Sequence, residues 1–226
     1  PMLNQFSAPA SFYIATDFLN GGAMWNDKVL EAARRWPTGA LKVSIGDKNL
    51  EFQIGDDKSR AFAGGELLAA FKYLPLTERT VAVDEFTHGV IDGLNYMMSD
   101  AQVKLLHDNG MEIGGHTCSH PILSGLTESN AFQQISDNKQ YLESILGQNI
   151  TSFAYPNGKP GKDYTKQTIE LVKKAGYKYA VSTHEGVANS LTDVYQIPRF
   201  TPWRNDKFGF FGLLAKNYLV RESAAI

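Results

Sequence analysis

Met111 to Gly115 (MEIGG), Thr127 to Leu146 (TESNAFQQISDNKQYLESIL) and Thr151 to Tyr155 (TSFAY) follow one another as a short apolar run, a long helical pattern and a second short apolar run. In the middle segment Phe132, Ile135, Leu142, Ile145 and Leu146 fall on one face of a 3.6-residue period. Thr127 is a capping residue at its start, and Gly147 permits the left-handed turn that closes a helix. The flanking runs are too short for helices and predict buried strands. A strand, a helix and a strand in succession make a crossover unit that joins parallel strands. Upstream, Ser99 or Asp100 caps a helix running to about Asn109, which Gly110 ends. Downstream, Thr165 to Ala175 predicts a helix closed by Gly176, Tyr177 to Thr183 a strand, and Gln196 to Phe200 one further strand.

The amino-terminal half alternates less regularly. Ala10 to Thr16 (ASFYIAT) predicts a strand and Asp27 to Arg35 a helix. Leu41 to Ile45 and Leu50 to Ile54 predict a small hairpin turning at Gly46-Asp47, and Gly65 to Tyr73 a helix. The alternation as a whole predicts an α/β fold with parallel strands, either an open doubly wound sheet or a barrel. No linker, low-complexity segment or repeat divides the chain, so residues 1–226 are expected to form a single domain.

Composition narrows the function classes. The 226 residues are 43% hydrophobic and 20% charged, a globular balance. The 22 basic and 24 acidic residues form no basic run, so no nucleic-acid partner is expected. A single cysteine, Cys118, excludes an internal disulfide. No transmembrane segment is expected, because no apolar stretch reaches about 18 residues. No signal peptide is visible, but Pro1 is not an initiator, and the chain is expected to begin inside a longer gene product.

The sharpest chemical feature is Gly114-Gly115-His116-Thr117-Cys118-Ser119-His120-Pro121. Pro121 biases His120 away from helical angles, and the glycines disfavour a helix before His116. The pair therefore belongs on a loop leaving a strand, where two imidazoles can converge on one ion. Plain loop or capping histidines fit the same pattern. A second strand exit carries Phe153-Ala154-Tyr155-Pro156-Asn157-Gly158. Pro156 and Gly158 favour a tight turn that can aim the Asn157 N–H at a fixed point, as an oxyanion hole requires, although an ordinary β-turn has the same residues. Asp17, His116, His120, Asn157, Thr183 and His184 all follow carboxyl ends of predicted strands, the edge at which parallel α/β folds bind ligands.

At these residues the chain resembles the polysaccharide deacetylases (the NodB-like type, carbohydrate esterase family four). His116, Thr117, His120 and Pro121 match that family's His-[Ser/Thr]-x-x-His-Pro motif, and Gly110 to His116 matches the strand that precedes it. Phe153 to Gly158 resembles the family's Pro-[Tyr/Asn]-Gly turn, Pro9 to Thr16 its second strand, and Met24 to Asp27 a segment of one subgroup. The resemblance implies a distorted (β/α) barrel holding one divalent ion, zinc with cobalt or nickel as alternatives, on His116 and His120. It implies a metal-dependent hydrolase that removes N-acetyl groups from a polysaccharide or its oligosaccharide precursor. Asn157 and Tyr155 fall in the catalytic turn, with Pro156 against substrate.

The chain departs from the family in three places. The Thr-Phe-Asp-Asp motif that supplies the base and an acidic ligand belongs on a strand before Ala10, and Pro1 to Ala8 contain no Asp, so that first strand is expected to be missing. Asp17 is a substitute ligand or a loop residue. Ala154 stands where many members have an arginine that orients the base. Arg199 can take that role from another strand end, or be a surface or ion-paired arginine. The late Leu-x-His motif is not evident after Phe200. His184 can protonate the leaving amine, or be a solvated loop histidine. Trp25 can stack on a sugar ring or pack in the core. His88 and His107 read as surface residues, and Cys118 as packing. The same motifs also suit an O-acetyl sugar esterase or a non-catalytic carbohydrate-binding relic of the fold.

Overall fold

The computed structural model describes residues 2–91, 93–200, 204, 206–219 and 226. In chain order the elements are α1 (Met2–Gln5), β1 (Ser11–Ile14), α2 (Trp25–Arg35), β2 (Gly39–Ile45), β3 (Lys48–Ile54), α3 (Asp57–Lys72), α4 (Leu76–Thr87), α5 (Asp100–Asp108), β4 (Glu112–Gly115), α6 (Glu128–Leu146), β5 (Ser152–Ala154), α7 (Lys166–Lys174), β6 (Tyr179–Val181) and α8 (Lys207–Leu219). The chain divides into two compact units, Pro1–Asp17 with Asp100–Ile226, and Phe18–Ser99.

The first unit is built on a parallel sheet in the order β1-β4-β5-β6. Ser11 to Ile14 pair with Glu112 to Gly115, Gly115 with Phe153, and Ser152 to Ala154 with Tyr179 to Val181. Each crossover steps one strand in the same direction. Right-handed crossovers that never reverse put their helices on one face, as in a barrel, whereas a doubly wound sheet reverses its order. The described strands form an arc of such a sheet without closing it. Past β6 the arc is prolonged by one parallel bridge, Val181 to Ile197, where the sequence predicts a strand at Gln196 to Phe200.

Side chains alternate across these strands. Ile14, Ile113, Phe153 and Ala180 share one face and are buried. α6 covers this face through Ala131, Ile135 and Leu142, and α7 contributes Ile169 and Val172. α6 starts at Thr127, whose hydroxyl accepts the Asn130 N–H at 3.3 Å, and stops at Gly147, left-handed at φ 68°. Gly115 must be glycine, because a Cβ there would overlap the Tyr177 hydroxyl and the Asn138 amide. The opposite face is polar: Ser11, Glu112, Ser152 and Tyr179 lie side by side near the strand starts. Glu112 accepts from Ser11 Oγ at 2.5 Å and from the Tyr179 hydroxyl.

The second unit has its own core, including Val29, Leu41, Ile54, Leu67, Phe71 and Val83. The predicted hairpin forms with Leu41 opposite Phe52 and Val43 opposite Leu50, turning at Gly46 with φ 56°. α3 begins eight residues before the predicted Gly65. Asp56 caps it by accepting the Ser59 N–H at 2.8 Å, while the Ser59 hydroxyl accepts the Asp56 N–H at 3.0 Å. α4 was not predicted; it buries Arg79, Val83 and Phe86 with little hydrophobic periodicity to announce it.

Candidate active site at the carboxyl edge of the parallel sheet

His116 is the first residue after β4, and its backbone N–H is shared between Ile14 O at 3.2 Å and Asn138 Oδ1 at 3.1 Å. Its Nδ1 lies 2.6 Å from Ala154 O. A carbonyl can only accept, so Nδ1 carries the proton and Nε2 carries the lone pair. The ring keeps some solvent exposure but is densely surrounded by protein, and burial pushes its pKa down to about 4. The imidazole is therefore neutral near pH 7, the form that binds metals.

The loop then makes two unusual turns. Thr117 and His120 both have positive φ, 64° and 54°. His120 is thus kept from right-handed helical angles, as the following proline requires. Its N–H donates to Thr117 Oγ1 at 3.1 Å. The turns bring the two imidazoles together edge to face, with ring centroids 4.7 Å apart. Asp17 is solvent-exposed, with its N–H on Cys118 O at 3.1 Å. No group of three or more His, Cys, Asp or Glu able to hold a metal ion occurs among the described residues. The pair thus fits as two nitrogen ligands, His116 with the proton-fixing carbonyl partner that ligating histidines have. A catalytic zinc generally takes three protein ligands. Cys118 is half-buried, and burial pushes its thiol up to about 11, which suits packing.

The second strand exit forms a tight turn. Asn157 has φ 58°, and Gly158 N–H reaches Pro156 O at 2.7 Å. The strand exit after β6 holds it: Thr183 Oγ1 donates to Asn157 O at 2.6 Å and Thr183 N–H to Gly158 O at 2.8 Å. Pro156, within the turn, is buried. The Tyr155 side chain lies in the core. It is fully buried, stacked on Tyr164 at 3.9 Å, and its hydroxyl donates to Tyr195 O at 3.0 Å.

Arg199 lies two residues beyond the Ile197 bridge. Its Nε donates to Ser182 O at 2.7 Å, and its charge acts on both His116 and Tyr13. His184 is half-buried, with Nδ1 2.5 Å from Ser182 Oγ, and its carbonyl accepts the Arg199 N–H at 3.2 Å. Histidine pair, turn, Arg199 and His184 all lie at strand exits of the first unit. Trp25 belongs to the second unit, where it packs on that unit's core beneath the Arg79 guanidinium, 4.8 Å from the ring centroid.

Sequence reasoning passed over Glu112, Tyr13 and Asn138. Burial raises the Glu112 carboxyl, but hydrogen bonds from Ser11 and Tyr179 outweigh it and leave the pKa lowered. The visible signals were an acid inside the apolar run MEIGG and an amide on the apolar stripe of α6.

Residues 77–180 match the family model described as polysaccharide deacetylase. The YxkH protein of Bacillus subtilis (strain 168), which carries the name of a polysaccharide deacetylase, is 28% identical over 114 residues, 50% of this chain and 39% of YxkH. The deacetylase PplD of Streptococcus pyogenes, solved in complex with acetate, is 29% identical over 48% of this chain and 45% of PplD, with a TM-score of 0.43. The deacetylase domain of BpsB from Bordetella bronchiseptica is 15% identical over 88% of this chain and 63% of that domain, with a TM-score of 0.49. The chain thus spans less than half the length of YxkH and PplD.

Proposed function

We propose, from the polysaccharide deacetylase match of residues 77–180, that this chain contributes to a metal-dependent hydrolase that removes N-acetyl groups from a polysaccharide or its oligosaccharide precursor. One observation carries the reading: His116 and His120 converge at 4.7 Å, with the His116 proton held on Nδ1 by Ala154 O. His116 and His120 would hold the divalent ion, zinc in the first instance. When bound, such an ion polarises the acetyl carbonyl and acidifies a water.

The remaining work falls to this chain's own groups. The overall reaction adds water across the amide: oxygen bonds to the carbonyl carbon, the C–N bond breaks, the amine takes a proton and acetate leaves. The Asn157 backbone N–H, aimed by the Pro156-Gly158 turn, would stabilise the developing oxyanion. Arg199, anchored on Ser182 O, would orient an anionic group at the site. His184, hydrogen-bonded to Ser182, would protonate the departing amine.

The test loads the chain with zinc, dialyses it, and measures bound metal for wild type, His116→Ala and His120→Ala. Near-stoichiometric metal in wild type and loss in both variants is the expected result. Acetate release from an N-acetylated oligosaccharide is then measured on the zinc-loaded protein. No retained metal together with oligosaccharide binding would replace the enzyme by a carbohydrate-binding protein. Acetate release from O-acetyl sugars alone would make it an esterase.

A further inference from the structure

The two unusual turns of the histidine loop need an outside support. A β-branched residue such as Thr117 at positive φ is costly, and it persists only where the surroundings over-determine it. That support comes from α6. Asn138 and Gln134 are four residues apart, hence on one helix face.

Asn138 is fully buried. Its Nδ2 donates to Ile14 O at 2.9 Å, Thr117 O at 2.6 Å and Thr16 Oγ1 at 3.2 Å. Its Oδ1 accepts the His116 N–H at 3.1 Å and the Tyr177 hydroxyl at 3.4 Å. Both ends of the amide are thus used, and the carboxyl ends of β1 and β4 are tied together where His116 emerges. Gln134 Oε1 accepts the N–H groups of Cys118 at 3.1 Å and Ser119 at 2.9 Å, and the Ser119 hydroxyl at 3.2 Å. Between the two imidazoles, one main-chain group of each residue from His116 to Ser119 is therefore held by a side-chain amide of α6. Asn138 also sits on the stripe Ala131, Ile135, Leu142, where packing alone calls for an apolar residue. A buried amide is tolerated there because its bonds are satisfied.

We propose that Asn138 and Gln134 form a two-rung amide clamp that sets the geometry of the His116–His120 pair, acting as positioning residues rather than as groups that touch substrate. The proposal rests on the reading above only in taking that pair as the ligand pair.

The two amides differ in a way that makes the test sharp. Gln134 is used only as an acceptor, so a carboxylate can replace it, whereas Asn138 is also a donor and a carboxylate cannot. Cobalt(II) is titrated into wild type, Gln134→Leu, Gln134→Glu and Asn138→Asp, reading affinity and the visible ligand-field spectrum. In parallel, amide exchange at His116, Cys118 and Ser119 and the imidazole nitrogen shifts are measured by NMR without metal. Gln134→Leu is expected to melt cooperatively, to bind cobalt about 10–100-fold more weakly, and to lose exchange protection at Cys118 and Ser119. Gln134→Glu is expected to restore all three properties, and Asn138→Asp to weaken cobalt binding with an altered spectrum.

Equal behaviour of Gln134→Leu and Gln134→Glu would overturn the clamp, since then only side-chain volume matters. So would unchanged amide exchange and imidazole shifts in Gln134→Leu. Should wild type bind no cobalt, the ligand reading fails by itself, while the metal-free NMR comparison still decides whether the amides position the two imidazoles.

Discussion

Gly115 shows how a single residue joins sheet, helix and site. It is the last residue of β4, and Asn138 and the Tyr177 hydroxyl occupy the space a Cβ would need. Gly115→Ala is expected to cost about 1–3 kcal/mol by overpacking and to disturb the His116 imidazole shifts; a fully stable variant with unchanged shifts would show that α6 yields. Glu31 offers a charge at the same scale. A hydrogen bond from Arg34 is the largest influence on its carboxyl, with Arg35 adding to it against burial, and the pKa falls to about 2. Because the folded value lies below the unfolded value of about 4.3, this stabilisation is complete above that value and disappears as pH falls through about 2. Both guanidinium groups face solvent, so screening reduces the effect to about 0.5 kcal/mol. Urea unfolding of Glu31→Gln should show that deficit at pH 7 and a narrowing gap as pH is lowered toward 3. The histidine pair was legible in the sequence because glycines, a proline and a strand exit surround it. Tyr155 was not, because the turn motif does not say which way the side chain before Pro156 points; alternation along β5 sends it into the core.

Helices were legible in proportion to their caps and their stripes. α6 has both, and its predicted span needed no revision beyond the cap residue. Removing the caps tests that account: Thr127→Ala should cost about 1 kcal/mol, and Gly147→Ala, at φ 68°, about 1 kcal/mol. Chemical denaturation measures both, and a neutral Gly147→Ala would mean that the turn relaxes without penalty. α3 was predicted too short because Gly64 and Gly65 interrupt its pattern, while Asp56 and Ser59 cap it well upstream. α4 and α8 were missed for opposite reasons. α4 mixes Thr, Val and acidic residues without a clear stripe, and α8 is apolar on almost every side, so neither shows a 3.6-residue period.

The separate core of Phe18–Ser99 is the feature of the whole molecule that alternation along the chain did not announce. Leu67 is fully buried there, and Leu67→Ala should cost about 2–5 kcal/mol. Hydrogen exchange mapped by residue should show protection falling first in α2, α3 and the β2–β3 hairpin; an equal fall in β4 and β5 would mean that the two units open as one. Strand order is also a property of the whole. Sequence left the doubly wound sheet and the barrel both open, and the order β1-β4-β5-β6 favours the barrel type of winding because no crossover reverses. What the sequence by itself determined was local: periodicity, caps and backbone-restricting residues specify the α/β class, the parallel strands and the strand exit that bears His116 and His120, since each depends on neighbours within one turn or one pleat. Only the tertiary structure decided which polar groups support that exit. Asn138 and Gln134 lie some twenty residues along the chain from the loop they hold, Ala154 reaches His116 from another strand, and no local rule connects residues that meet solely because α6 packs back over the sheet.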